Sequence, residues 1–181
     1  MSAAAELVLA SYSPEETFGI AMELGALLRG GETLALQGEL GSGKTLFTKG
    51  LCAGLGVADP RGVASPTYVL EHVYEGSFPI HHYDVYRLAS SDEFLALGFE
   101  EHLGGSDIIV IEWADRVASV LPPDRLEVRL ELRGEDASAG ETPSTEAPEP
   151  PDSRTITFSG PATTWQDRLD RLSRTHSGAR S

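Results

Sequence analysis

The chain has 181 residues, of which 40% are apolar, and a formal net charge of −14. This length allows one well-cored domain and excludes two. An acidic chain has no general attraction for phosphate backbones, so tight nucleic-acid binding by the chain alone is disfavoured. No stretch approaches the roughly 20 apolar residues of a membrane span, and residues 1–6 lack the features of a secretory signal. With Cys52 as the single cysteine, these features predict a cytoplasmic protein without a membrane partner.

Strands and helices alternate along the chain. In chain order the pattern predicts a strand at 7–11, a helix from 14 that stops at 30–31, a strand at 33–37, a helix from 44, strands at 68–74 and 79–86, a helix at 91–103, a strand at 108–111, a helix at 113–121, and strands at 126–132 and 154–158. Ser13 and Glu16 form a capping box at the first helix. The run Ile108-Ile109-Val110-Ile111 lacks alternation, which is typical of a central parallel strand.

One acidic segment interrupts this pattern. Residues 134–153 are rich in Pro, Glu, Ser and Thr and carry six acidic and no basic residues. Such a composition predicts a disordered hairpin insertion. The domain organisation is therefore predicted as one domain formed by residues 1–133 and 154–175, with a short amphipathic helix after Thr164 and a frayed tail at 176–181.

The segment Gly38-Glu39-Leu40-Gly41-Ser42-Gly43-Lys44-Thr45 carries the strongest chemical signal. Its glycines let backbone N–H groups turn inward and form an anion nest at a helix N-terminus. In this pattern Lys44 reaches the β- and γ-phosphates of a nucleotide, and the Thr45 hydroxyl binds Mg²⁺. The elements around it predict an α/β fold: a P-loop NTPase three-layer sandwich with a mostly parallel central sheet and an antiparallel C-terminal edge hairpin. No Asn/Thr-Lys-x-Asp element for guanine is present, which favours ATP.

Two carboxylates are candidates to complete the site. Glu112 follows the strand at 108–111, and Asp84 lies near the end of another strand, where ligands bind in open α/β sheets. Either could support Mg²⁺ or act on water, and the sequence leaves their roles open. A hydroxyl of Ser65-Pro66-Thr67 is a candidate sensor of the γ-phosphate. His81 and His82 are adjacent on a strand and point to opposite faces, so they are not expected to chelate one ion.

Four segments together resemble the TsaE (YjeE) family of bacterial ATPases. They are the glycine loop, Ser65-Pro66-Thr67-Tyr68, His82-Tyr83-Asp84-Val85-Tyr86-Arg87-Leu88 and Ile111-Glu112-Trp113. Their order and spacing match the family, and the resemblance runs from about residue 13 to 132.

The resemblance implies an ATPase of the tRNA threonylcarbamoyladenosine pathway that joins the proteins TsaB and TsaD and contacts tRNA only through them. By position, residues 39–45 bind the phosphates, Thr45 and Glu112 hold Mg²⁺, and Asp84 with Lys44 serves catalysis. Thr67 and Trp113 match positions near the nucleotide or the partner surface. Two alternatives remain: a small-molecule kinase, although the segment at 91–103 contains no lid arginine, and a nucleotide switch without catalysis.

Overall fold

The structure is a computed structural model that describes residues 3–133 and 152–178. The predicted acidic insertion at 134–153 lies almost entirely outside the described residues, as does the end of the predicted tail. Within the described residues, no helix is long and apolar enough to cross a lipid bilayer.

Seven strands form one mixed sheet, as the α/β prediction requires. The strands are β1 (Ala4–Ser11), β2 (Thr33–Gln37), β3 (Glu71–Glu75), β4 (Pro79–Asp84), β5 (Ile108–Glu112), β6 (Leu126–Leu132) and β7 (Arg154–Pro161). Their spatial order is β1-β7-β6-β2-β5-β4-β3. The four central strands β6, β2, β5 and β4 run parallel, whereas β3 and the β6–β7–β1 side pair antiparallel. The predicted C-terminal hairpin is thus present as β6 and β7, and β1 pairs with β7 on its other side.

Helices pack on both faces of the sheet because central strands send alternate apolar side chains to opposite sides. Leu34 and Leu36 of β2 join one core cluster, whereas Ala35 joins the other. The first cluster contains side chains of α1 (Pro14–Leu27), α2 (Lys44–Gly54) and α4 (Ala162–Gly178). The second contains side chains of α3 (Ser91–Leu95) and of the 3₁₀ helices Phe99–His102 and Ala114–Val120. The fold therefore has three layers.

The start of α1 forms as its sequence predicts. The Ser13 hydroxyl accepts a hydrogen bond from the Glu16 N–H at 3.1 Å, and a Glu16 carboxylate oxygen accepts one from the Tyr12 N–H at 2.8 Å. These reciprocal bonds satisfy N–H groups that the helix itself leaves unpaired.

The two strands of the β3–β4 hairpin are shorter than predicted. The strand expected at 68–74 begins only at Glu71, because Leu70 has a left-handed backbone (φ 70°) and its N–H bonds the Pro66 carbonyl in a turn. The strand expected at 79–86 ends at Asp84, where a side-chain oxygen accepts the Tyr86 N–H and bends the chain. Both corrections arise from turn geometry next to the candidate site.

Two predicted helices are also different in the structure. The segment at 91–103 divides into α3 and a 3₁₀ helix, because Gly98 between them has a left-handed φ of 80°. The segment at 113–121 is a 3₁₀ helix that starts at Ala114, since Trp113 has a φ of 63° outside the helical region. By contrast, α4 is longer than the short helix predicted after Thr164 and continues to Gly178.

Candidate nucleotide-binding site

The glycine loop connects β2 to α2 and has the backbone of an anion nest. Gly38, Gly41 and Gly43 have positive φ angles of 146°, 81° and 105°. A Cβ atom built on Gly38 would lie 2.4 Å from the Leu130 carbonyl oxygen, so only glycine fits there. The loop therefore presents its backbone N–H groups at the N-terminus of an 11-residue helix.

Lys44 is folded back over the loop. Its Nζ donates to the carbonyl oxygens of Gly38 at 2.7 Å and Glu39 at 2.8 Å. The same ammonium lies 3.7 Å from the centre of the Trp113 ring, which is a cation–π contact. These contacts hold the charge of Lys44 at the mouth of the nest.

The charge of Lys44 also lies among carboxylates. Burial lowers the pKa of the ammonium below its ordinary value, while the negative charges of Glu112, Asp84 and Asp115 act in the opposite direction. A polyphosphate in the nest would add negative charge and favour the protonated amine.

Glu112 at the end of β5 reaches the first turn of α2. Its two carboxylate oxygens accept the Thr45 hydroxyl at 3.0 and 3.1 Å, and Oε1 lies 2.8 Å from His82 Nε2. The side chains of Glu112 and His82 are 3% and 0% exposed. His82 therefore fixes the orientation of the carboxylate from behind. A hydroxyl and a carboxylate at this distance are the oxygen ligands that Mg²⁺ prefers.

Asp84 at the end of β4 lies beside Glu112, because the parallel register pairs these two residues. Its Oδ2 accepts hydrogen bonds from the hydroxyls of Ser65 and Thr67, the latter at 2.7 Å, and its Oδ1 accepts the Tyr86 N–H at 2.9 Å. These three donors fix both oxygens of a carboxylate that is 3% exposed.

Most of the sequence-predicted residues line one cavity of about 340 Å³. They are Leu40, Gly41, Gly43, Lys44, Thr45, Thr67, Asp84, Glu112 and Trp113. Glu39 and Ser42 instead line an adjoining cavity of about 550 Å³ on the other side of the loop, together with Gln37 and Arg129. Trp113 lines both cavities.

His81 belongs to a separate cluster on the opposite face of β4 from His82. His81 Nδ1 lies 2.8 Å from Glu71 Oε1, and His81 Nε2 lies 3.2 Å from Asp107 Oδ2, which is also 3.1 Å from His102 Nδ1. Glu71, His81 and His102 bring three ligand atoms within 4.8 Å. The two imidazoles, however, are stacked 3.6 Å apart at 24°, so their lone pairs run nearly parallel instead of converging. We interpret the cluster as a hydrogen-bonded network.

Three contacts of the site were not predicted from the sequence. They are the support of Glu112 by His82, the hydrogen bond from Ser65 to Asp84, and a hydrogen bond of 3.3 Å from Arg154 Nη1 to the Ser42 carbonyl. The alternation of β4 places His82 and Asp84 on one face and could have indicated the first. No local signal indicates the contact of Arg154, because more than a hundred residues separate it from the loop.

Comparison with known proteins identifies the family of this chain. Residues 11–139 match the family model described as "Threonylcarbamoyl adenosine biosynthesis protein TsaE". The chain is 42% identical to the tRNA threonylcarbamoyladenosine biosynthesis protein TsaE of Treponema pallidum over 67% of this chain and 89% of that protein. For the protein of the same name from Bacillus subtilis, the identity is 40% over 70% and 78% of the two chains.

The fold agrees as well. The crystal structure of YdiB from Bacillus subtilis superposes with a TM-score of 0.72 and 29% sequence identity, covering 97% of this chain and 99% of that one. The family match and the relatives together show that this chain belongs to the TsaE family of tRNA threonylcarbamoyladenosine biosynthesis proteins.

Proposed function

We propose that this chain is a Mg²⁺-dependent ATPase that joins the TsaB–TsaD pair and supports threonylcarbamoylation of adenosine 37 in tRNAs that read codons beginning with A. The observation that carries the proposal is the convergence of Thr45, Glu112 and Asp84 beside the nest of the glycine loop. Phosphoryl transfer to water uses a phosphate cradle, ligands for a metal ion and a residue that orients the nucleophile, and a carboxylate can serve as that residue.

The residues present fit Mg²⁺ and a nucleoside triphosphate. The Thr45 hydroxyl and a Glu112 oxygen would hold the cation, and the loop amides with Lys44 would bind the phosphates. When bound, Mg²⁺ supplies positive charge that neutralises the phosphate oxygens. Lys44 would exchange its bonds to the loop carbonyls for bonds to phosphate, since the ammonium already lies at the mouth of the nest.

In this proposal Asp84 orients the attacking water. Its carboxylate lies in the same cavity as the loop and is held by Ser65, Thr67 and the Tyr86 N–H. A hydroxyl that bonds Asp84 can also sense the terminal phosphate, because a new acceptor in the cavity competes for its proton. Segment 65–67 would then report the state of the nucleotide.

Exposed apolar side chains near the cavity support the proposed protein partners. Leu40 of the loop is 85% exposed, Tyr68 is 82% exposed, and Tyr86 is 49% exposed. Leu40 and Tyr86 line the cavity, and Tyr68 directly follows Thr67. Apolar side chains grouped in this way on a surface favour contact with another protein. The net charge of −14 agrees with contact to tRNA through the partners.

The test is the release of inorganic phosphate from ATP by the wild type and by Asp84→Asn, each with and without TsaB–TsaD. We expect slow release by the isolated wild type, stimulation by the partners, and loss of the stimulated rate in Asp84→Asn with ATP affinity retained. Asp167→Asn is the control, because Asp167 is exposed on α4 and, among the described residues, forms ion pairs with the surface residues Arg29 and Arg171. Equal partner-supported rates in wild type and Asp84→Asn would contradict the assigned role. Transfer of labelled phosphate to a metabolite instead of water would indicate a kinase.

A further inference from the structure

Arg154 lies buried behind the phosphate loop at the start of β7. The residue is 4% exposed, and its Nη1 donates to the Ser42 carbonyl at 3.3 Å. Its Nε and Nη2 donate to the Asp152 carbonyl at 3.3 and 3.2 Å. A Cβ atom built on Gly43 would lie 2.3 Å from Arg154 Nη1, so the guanidinium packs directly against the glycine backbone. Arg154 thus contacts the last two residues of the loop before Lys44.

The charge of Arg154 has no anionic partner among the residues that the structure describes. All three of its hydrogen bonds go to neutral backbone carbonyls. A buried cation is costly unless an anion compensates it. Arg154 contacts the Ser42–Gly43 peptide of the loop whose backbone forms the anion nest. A bound phosphate would therefore supply the missing negative charge at short range.

The contact also fixes the direction of one peptide group. In a trans peptide the C=O and the following N–H point in opposite directions. Because Arg154 holds the Ser42 carbonyl on the rear side of the loop, the Gly43 N–H is directed to the front. Gly43 lines the front cavity with Lys44 and Thr45. The contact thus orients a donor of the nest before any phosphate arrives.

We propose that Arg154 is a positioning residue for phosphate binding: it fixes the Ser42–Gly43 peptide and places a buried positive charge behind the nest. The proposal rests on the phosphate-binding part of the function proposed above and is independent of hydrolysis. Arg154 belongs to β7, the strand that follows the acidic segment. The sequence of the glycine loop alone does not indicate that a residue of β7 contributes to this site.

The test compares Arg154→Lys and Arg154→Gln with the wild type. Lysine keeps the charge and loses the fork of donors, whereas glutamine keeps a donor and loses the charge. Arg125→Gln is the matched control, since Arg125 is another partly buried arginine that bonds Glu127 and the Pro122 carbonyl at the far end of β6. Affinity for ADP is measured by calorimetry. The ¹⁵N chemical shift of the Gly43 amide, which depends on the hydrogen bond to the preceding Ser42 carbonyl, is measured by NMR without nucleotide.

We expect Arg154→Gln to weaken ADP binding by about tenfold or more and Arg154→Lys to weaken it less, because hydrogen bonds and charges near an anion contribute on this scale. Both variants should shift the Gly43 amide signal, because they remove or change the hydrogen bond to the Ser42 carbonyl, and Arg125→Gln should change neither quantity. Folded Arg154 variants with wild-type affinity and a wild-type Gly43 amide signal would overturn the proposal, even if their thermal stability is lower. If the wild type binds ADP and never hydrolyses ATP, the ATPase proposal fails while this one stands. If the wild type binds no nucleotide, both the proposed function and the positioning role fail.

Discussion

Glu112→Gln separates the metal role of this carboxylate from any structural role. The substitution keeps the shape of the side chain and removes its negative charge. Glu112 is only 2% exposed, so this charge is buried. Loss of a carboxylate ligand should cost about 3 kcal/mol of Mg²⁺-dependent stabilisation, within the several kcal/mol that a bound metal supplies. This corresponds to roughly a hundredfold change in affinity.

Although Glu112→Gln should weaken Mg²⁺-dependent binding, it should not lower the free energy of unfolding of the nucleotide-free protein. Glu112 accepts hydrogen bonds from Thr45 and His82, and among the described residues the Lys44 ammonium acts on it through space, without a hydrogen bond or ion pair between the two. A buried neutral amide is less costly to desolvate than a buried anion, so the nucleotide-free variant should be as stable as the wild type or more stable. A residue that only maintained the fold would lose stability when changed.

The assay is ATP binding measured by calorimetry in excess Mg²⁺ and in EDTA, with the ratio of the two dissociation constants as the readout. The control is Glu32→Gln. Glu32 is also buried and bonds Arg168 at 2.6 Å, but it lies before β2, at the opposite end of that strand from the loop. Glu32→Gln should lower the melting temperature and leave the ratio unchanged. An unchanged ratio in Glu112→Gln would refute the assignment of Glu112 as a metal ligand.

Three further perturbations test other parts of the structure. Lys44→Ala should abolish measurable ATP binding in calorimetry, because it removes the charge at the mouth of the nest, and an affinity equal to wild type would contradict this. Burial raises the pKa of Cys52 from 9.0 to about 12, so near pH 8 its thiolate is roughly a thousandfold scarcer than that of a free thiol. A thiol reagent should therefore label it only after denaturation, and the stability that this thiol contributes should be complete below pH 9 and decline toward pH 12. Trp165→Ala should cost about 3–5 kcal/mol in urea unfolding, since the ring is fully buried and its Nε1 donates to the Asp124 carbonyl; a loss below about 1 kcal/mol would argue against this packing.

The sequence predicts best the features that depend on neighbouring residues. The capping box of Ser13 and Glu16 and the strand–loop–helix around the glycines are local patterns, and the structure contains both. The position of Glu112 beside Asp84 follows from a general rule, because parallel strands bring their carboxyl ends to one edge of the sheet. The prediction therefore extended from local elements to the composition of one cavity.

Three features of the backbone and its contacts could not be predicted from the sequence. Leu70 and Trp113 have left-handed backbones, although neither is a glycine or asparagine, the residue types from which such a conformation is usually predicted. Leu70 precedes the late start of β3, and Trp113 precedes the start of the 3₁₀ helix at Ala114, one residue after the predicted start of that helix. Arg154 is a third case, since its partner is a backbone carbonyl of the loop, and backbone atoms leave no residue type by which a pairing could be recognised.

The spacing within the site follows from the two-residue period of a strand. His82 and Asp84 are two residues apart on β4, so both side chains emerge on the face that carries α2, whereas His81 and Tyr83 emerge on the other. On the neighbouring strand, Glu112 lies opposite Asp84 and on the same face. Insertion or deletion of one residue between positions 82 and 84 would move one of these side chains to the wrong face while the hydrophobic composition stayed almost the same. The spacing of one residue between His82 and Asp84 is therefore a geometric requirement for His82, Asp84 and Glu112 to lie on the same face of the sheet.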